Sequence, residues 1–247
     1  MSQSVASVHS AAAISMHEKQ SRAQSMESMM NTSARFLDVG DPVPDFSLDS
    51  QVGRIDLHDL IDGKWCLIVT FGSAFDPVAT TDIGMLSRME MEFESRHIVV
   101  ICIGNDTLPN YRKWVKDIEE VQAVRVRVPL MADTDNMRHM RMFGTAKYFP
   151  REECVKHTSC GAFLVDLDRT IRYSSRYGTT VGRNWYEVLR TYDALQLTTY
   201  HKCLCPSNWG QGQDILLSTD ITKDEATLFR FTEIKPWFKI APIPDTI

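Results

Sequence analysis

The chain has 247 residues, 43% of them hydrophobic and 24% charged, and its 27 Lys plus Arg against 32 Asp plus Glu give a net charge of -5. That length holds one generous domain and a small one, and a unit of about 160 residues buries roughly 70% of its unfolded surface, so a stable core is expected. The acidic balance and the lack of a nucleic-acid motif argue against a phosphate-backbone binder. No apolar run reaches eighteen residues and no basic stretch precedes an apolar leader, so neither a membrane span nor a signal peptide is expected.

In chain order, residues 1–35 form a zone rich in Ser, Ala, Met and Gln, without Gly or Pro. Its composition reads as a disordered tail. Met16, Ala23, Met26 and Met30 also fall at spacings of seven, three and four, which would line one side of a helix able to dock on a protein partner. Trp65 to Phe71 has the length and β-branched content of a buried strand, and Ala79 to Arg96 carries helical periodicity. The stretch Thr70 to Asp82 therefore joins strand to helix, a place where open α/β sheets carry function.

Ile98 to Ile103 reads as a central parallel strand, apolar on both faces. Asp106 or Thr107 caps a helix that turns Leu108, Tyr111, Trp114, Val115 and Ile118 inward. Val128 to Asp133 leads to a helix through Asn136 to Phe143, stopped at Gly144, and within Thr145 to His157 the stretch Tyr148 to Glu153 reads as a surface excursion. Strands near Ala162–Asp166 and Thr170–Ser174 pair across a turn, and Trp185, Leu189, Tyr192 and Leu195 repeat along a last core helix. The six cysteines, at 66, 102, 154, 160, 203 and 205, lie within or beside apolar runs, the pattern of reduced thiols in the cytoplasm. Cys203 and Cys205 have no second pair at zinc-site spacing, so no metal and no cofactor is expected.

Several of these stretches resemble the peroxiredoxins, thiol peroxidases of thioredoxin-like fold, and within them the one-cysteine class. Val39-Gly40-Asp41-Pro42-Val43-Pro44-Asp45-Phe46 is similar to the family's opening. Val52-Gly53-Arg54-Ile55-Asp56-Leu57-His58-Asp59 is close to its Val-Gly-Arg-Ile-x-x-His-Asp, and Thr180-Val181-Gly182-Arg183-Asn184-Trp185 to its Thr-Thr-Gly-Arg-Asn-Phe. Cys205 to Asp214 and Pro236 to Pro242 resemble the extra C-terminal domain of that class. The resemblance covers about 38–244. It implies an α/β chain of three parts: a tail at 1–35, a thioredoxin-like domain with a central mixed sheet flanked by helices at 36–197, and a small C-terminal domain at 198–247.

The family's peroxidatic cysteine falls on Ala79 in Pro77-Val78-Ala79-Thr80-Thr81-Asp82, its Pro on Gly72, its Thr on Asp76 and its Arg on Cys160. Attack on a peroxide needs a thiolate, and an ordinary cysteine of pKa about 8.5 is only slightly ionised at neutral pH. Ala79 has no nucleophile, and Asp76 adds a negative charge that would raise the pKa of a nearby thiol. A phospholipase activity assigned to some members rests on a His and a Ser that fall here on His58 and Lys64, and lysine does not replace an activated hydroxyl.

Four changed positions imply a natural pseudoenzyme of this fold, working as a structural or binding protein. Among degenerate members the chain resembles the thioredoxin-like proteins that coat cortical microtubules in apicomplexan parasites. That resemblance implies a cytoskeletal location, tubulin and other microtubule-associated proteins as partners, and stabilisation of the lattice, with a homodimer also open. The alternative is a thiol peroxidase or redox sensor using a relocated cysteine such as Cys160, or a regulatory partner of an active peroxiredoxin.

Overall fold

The computed structural model describes residues 35–222 and 229–243. The methionine stripe at Met16, Ala23, Met26 and Met30 lies outside them. Two compact units divide the chain, the first ending at Arg183 and the second beginning at Asn184.

The first unit is built on a seven-stranded mixed sheet in the order β2-β1-β5-β4-β3-β8-β9. Its strands are β1 Ser47–Ser50, β2 Gly53–Asp56, β3 Trp65–Thr70, β4 Ile98–Gly104, β5 Leu130–Ala132, β8 Cys160–Val165 and β9 Ile171–Tyr177. The centre is β3, parallel to β4 on one side and antiparallel to β8 on the other. All six residues of β3 and all six of β8 are buried, which explains why both read as continuous apolar runs instead of alternating ones.

Helices α1 Leu57–Leu60, α2 Pro77–Arg88, α3 Glu90–Ser95, α4 Leu108–Gln122 and α5 Arg138–Met142 complete this unit. The helical stretch expected as one piece, Ala79 to Arg96, is two helices broken at Met89, whose backbone leaves the helical region while its side chain stays buried. Helix α4 turns Tyr111, Trp114 and Ile118 inward as its periodicity predicts. Its N-cap position is Thr107, yet Asp106 does the fastening: its carboxylate accepts from Thr107 N, Asn110 Nδ2 and Ala74 N.

The segment around the expected surface excursion is a hairpin, β6 Ala146–Phe149 with β7 Cys154–His157. Its tip is exposed, but its end is tied inward, because Thr158 N and Ser159 N both donate to Thr145 O, and Thr145 is fully buried. The return of the chain into β8 is therefore fixed. Arg176 on β9 lies over the rings of Phe36 and Phe163, at 4.3 and 5.1 Å, and donates to Leu37 O and Phe143 O, which pins the start of the described chain to the sheet.

In the second unit, α6 Trp185–Tyr200 is followed by a four-stranded antiparallel sheet in the order β10-β11-β13-β12, from Cys203–Leu204, Ile215–Leu217, Phe238–Ala241 and Thr232–Lys235. Leu197, Cys203, Trp209, Ile215, Leu217 and Ala241 make its core. Asn184 caps α6 by accepting from Glu187 N.

Candidate functional site

Strand β3 ends at Thr70, whose register partner on β8 is Gly161, one residue after Cys160. The loop 71–76 leaves the same end of β3 and enters α2. Cys160 thus stands at the end of the sheet from which the strand-to-helix turn departs, and the two parts meet through side chains. Thr70 Oγ1 accepts from Gly161 N at 2.9 Å.

Arg183 fastens this end. Its Nε and Nη2 donate to Asp82 Oδ2 at 3.1 and 2.8 Å, its backbone N donates to Asp82 Oδ1, and its Nη1 donates to Thr70 O and Gly161 O at 2.8 and 2.7 Å. The side chains are 1% and 3% exposed, so strand β3, strand β8 and helix α2 are joined by one buried, fully hydrogen-bonded ion pair. A guanidinium engaged in this way positions the site; its donors already have partners. Sequence reasoning passed over Arg183 and Asp82, although both lie in stretches that resemble the family.

The four positions assigned by resemblance fall into two groups. Asp76 is the N-cap of α2, its Oδ1 accepting from Ala79 N at 2.7 Å, so the carboxylate that sequence reasoning treats only as a repelling charge first serves the helix. Ala79 is buried in the first turn of α2. Cys160 is 4% exposed and its Sγ lies 4.0 Å from Nε2 of His157, the last residue of β7. Gly72 faces the other edge of the same ring: a Cβ at Gly72 would stand 2.9 Å from His157 Nδ1. Gly72, His157 and Cys160 therefore form one cluster, and His157, which lies just past the expected surface excursion, had no signal in the sequence to join it to Gly72.

Charges set the chemistry of the pair. Burial pushes the Cys160 thiol up, Arg183 pulls it down, and Asp82 and Asp76 push it further up. Burial holds His157 below the usual histidine range, opposed by a backbone hydrogen bond with Ser159 and by the charge of Asp76. Cys102 also feels the Arg183 and Asp82 charges, so what sets Cys160 apart is the imidazole beside it. Cys66 is raised well above the ordinary thiol range by burial and Cys102 is pushed up to about 12, on adjacent strands of the core. Cys203, pushed up to about 11 by burial, and Cys205, also raised, face the backbone carbonyls of Leu197 and Ala194.

His58 and Lys64 do not meet in a catalytic arrangement. His58 Nε2 donates to Val43 O at 2.9 Å while its Nδ1 faces Arg169 Nη1 at 3.1 Å, so both ring nitrogens are held in a structural network. Lys64 is exposed in the turn before β3. Among the described residues no group of three or more His, Cys, Asp or Glu is placed to hold a metal ion.

A mixed sheet of this order with flanking helices, followed by a small sheet unit, is the thioredoxin-like fold in its peroxiredoxin form. Residues 39–174 match the AhpC/TSA family and residues 194–229 match the C-terminal domain of 1-Cys peroxiredoxin, and the chain belongs to the peroxiredoxin superfamily, in its one-cysteine class. It is 33% identical to the 1-Cys peroxiredoxin of Dictyostelium discoideum over 85% of this chain and 87% of that one. The solved yeast mitochondrial 1-Cys peroxiredoxin, studied for thiol resolving via glutathione/thioredoxin systems, superposes with a TM-score of 0.75 at 28% identity over 84% of this chain and all of that one. A cysteine-to-serine variant of the peroxiredoxin 6 of Arenicola marina gives 0.77 at 25% identity, over 85% of this chain and all of that one.

These relatives overturn the expectation of a pseudoenzyme serving as a microtubule coat. Proteins similar to nearly the whole described chain are named peroxiredoxins, which are enzymes, and neither the fold nor the relatives point to a cytoskeletal role. The physical reason the expectation failed is that it equated loss of one arrangement with loss of chemistry. Ala79 removes a thiol from a helix N-terminus, while Cys160 supplies another thiol at the same end of β3.

Proposed function

We propose that this chain is a thiol-dependent peroxidase or peroxide sensor of the one-cysteine class in which Cys160 carries the reacting sulfur. The observation that carries the reading is the match over 85% of the chain to a 1-Cys peroxiredoxin, and Cys160 is the described thiol with an imidazole in contact. The thiolate attacks one peroxide oxygen, the O–O bond breaks, and the sulfur becomes a sulfenic acid as water or an alcohol leaves. Two equivalents of a thiol such as glutathione return it to the thiol, giving a disulfide and water. Burial raises the thiol, so without a group to take its proton the step would be slower than that of free cysteine at neutral pH, because only the thiolate reacts.

All six cysteines are free, which suits a reducing cytoplasm. Strand β9 is an edge of the large sheet whose start is bonded to the 40–43 segment, and the rest of that edge supports a homodimer. The test is peroxide consumption coupled to a thiol reductant. The wild-type chain consumes hydrogen peroxide faster than an equal concentration of free cysteine and Cys160→Ser loses this excess; equal rates for both proteins remove Cys160 from the reaction.

A further inference from the structure

We infer that His157 is the base that takes the proton of Cys160, and that Gly72 is the residue that makes room for it. This rests on the reading of Cys160 as the redox thiol. The imidazole stands between the two: Nε2 faces Sγ at 4.0 Å and Nδ1 occupies the space that any side chain at Gly72 would need.

Two departures from the family pattern are then one change. A proline or alanine at position 72 would push the ring off the sulfur, and an arginine at position 160 would have no use for a neutral base. The ring is half-buried and is kept in its unprotonated form by burial, the form a base needs, while the Asp76 charge and the Ser159 backbone bond favour the imidazolium once it forms.

The groups that face the pair come from three parts of the chain. Asp76 stands at the start of α2 and Asp82 further along it, Arg183 reaches in from the end of the first unit, and the Ser159 backbone lies in the turn before β8. Arg183 is tied to Asp82, so their charges largely cancel at the sulfur, and the near neighbour able to exchange a proton with Cys160 is His157.

In the reaction the thiol proton moves to Nε2, the thiolate forms the S–O bond as the O–O bond breaks, and the imidazolium returns the proton to the departing oxygen. The protein ends as sulfenic acid and neutral histidine, with water released from hydrogen peroxide. No further reagent enters the oxidising step.

The test follows alkylation of the Cys160 peptide by iodoacetamide from pH 5 to 10, by mass spectrometry, in the full chain and in His157→Asn and Gly72→Ala. The wild-type profile is expected to keep a reactive fraction down to the pH at which the ring protonates. Both variants should lose that fraction and react on the order of tenfold more slowly at pH 7, following a single high-pH titration. Gly72→Ala keeps both reacting groups, so it guards against a fold defect in the histidine variant. An unchanged rate and profile in both variants overturns the assignment of the base. Peroxide oxidation of the same peptide is read separately: a paired alkylation profile without peroxide oxidation removes the peroxidase reading and leaves the base in place.

Discussion

Cys160 and Cys203 are both buried thiols beside the end of a short strand, and they differ in what surrounds them. At the loop end of the large sheet, Cys160 meets an imidazole and feels three charged side chains. In the small sheet of the second unit, Cys203 belongs to an apolar core of leucine, isoleucine, tryptophan and alanine, with a backbone carbonyl as its polar neighbour. Burial raises both, so burial alone does not separate a reagent from a packing residue. The difference lies in whether groups able to move a proton converge on the sulfur.

The comparison breaks most severely when the buried ion pair is removed. Arg183→Met leaves Asp82 buried and unpaired and frees Thr70 O and Gly161 O, and the first unit is expected to lose about 3–5 kcal/mol, read by denaturant unfolding. Alkylation of Cys160 should then lose its dependence on His157, while Cys203 keeps its protection. A loss below about 1 kcal/mol would show that Arg183 is not what holds this end together.

A smaller effect is expected at the start of α2. Asp76→Ala removes the side chain that accepts from Ala79 N and should cost about 1 kcal/mol, whereas Asp76→Asn keeps the cap and should be nearly neutral. Equal costs for the two would mean that charge, and not the cap, is the role of this residue. The charge itself should move reactivity little, because it pushes the Cys160 thiol and the His157 ring in the same direction.

The pH dependence of stability sharpens the contrast again. A histidine whose folded pKa is depressed contributes stability that is complete above its ordinary value near 6.5 and is lost as pH falls below it. His157→Asn should therefore flatten the stability profile of the first unit as pH falls below about 6.5, with unfolding midpoints at a series of pH values as the measure. An unaltered slope would show that the ring is not held neutral.

Much of this architecture was legible in the chain. Trp65 to Phe71 and Ile98 to Ile103 could be read as the central strands because strands covered on both faces carry no polar alternation, and Tyr111, Trp114 and Ile118 announced the inward face of α4. The family resemblance placed Gly72, Asp76, Ala79 and Cys160, but as four separate losses. What escaped was the relation among residues far apart in sequence. Nothing local joins His157 to Gly72, and Tyr148 to Glu153 read as a surface excursion because the tip of the hairpin faces solvent. Arg183 and Asp82 lie 101 residues apart, and their pairing depends on the register of β3 with β8 and on the N-terminal half of α2.

The central claim is that Cys160, and not the other thiols, carries peroxide chemistry. The direct measurement is a competition within one molecule: treat the reduced full-length chain with stoichiometric hydrogen peroxide, trap sulfenic acids, and quantify each cysteine peptide by mass spectrometry over time. The account predicts that Cys160 is trapped first and faster than free cysteine, with Cys66, Cys102 and Cys203 unmodified at the same time points. Oxidation of Cys160 no faster than free cysteine, or behind Cys203 or Cys205, would contradict it.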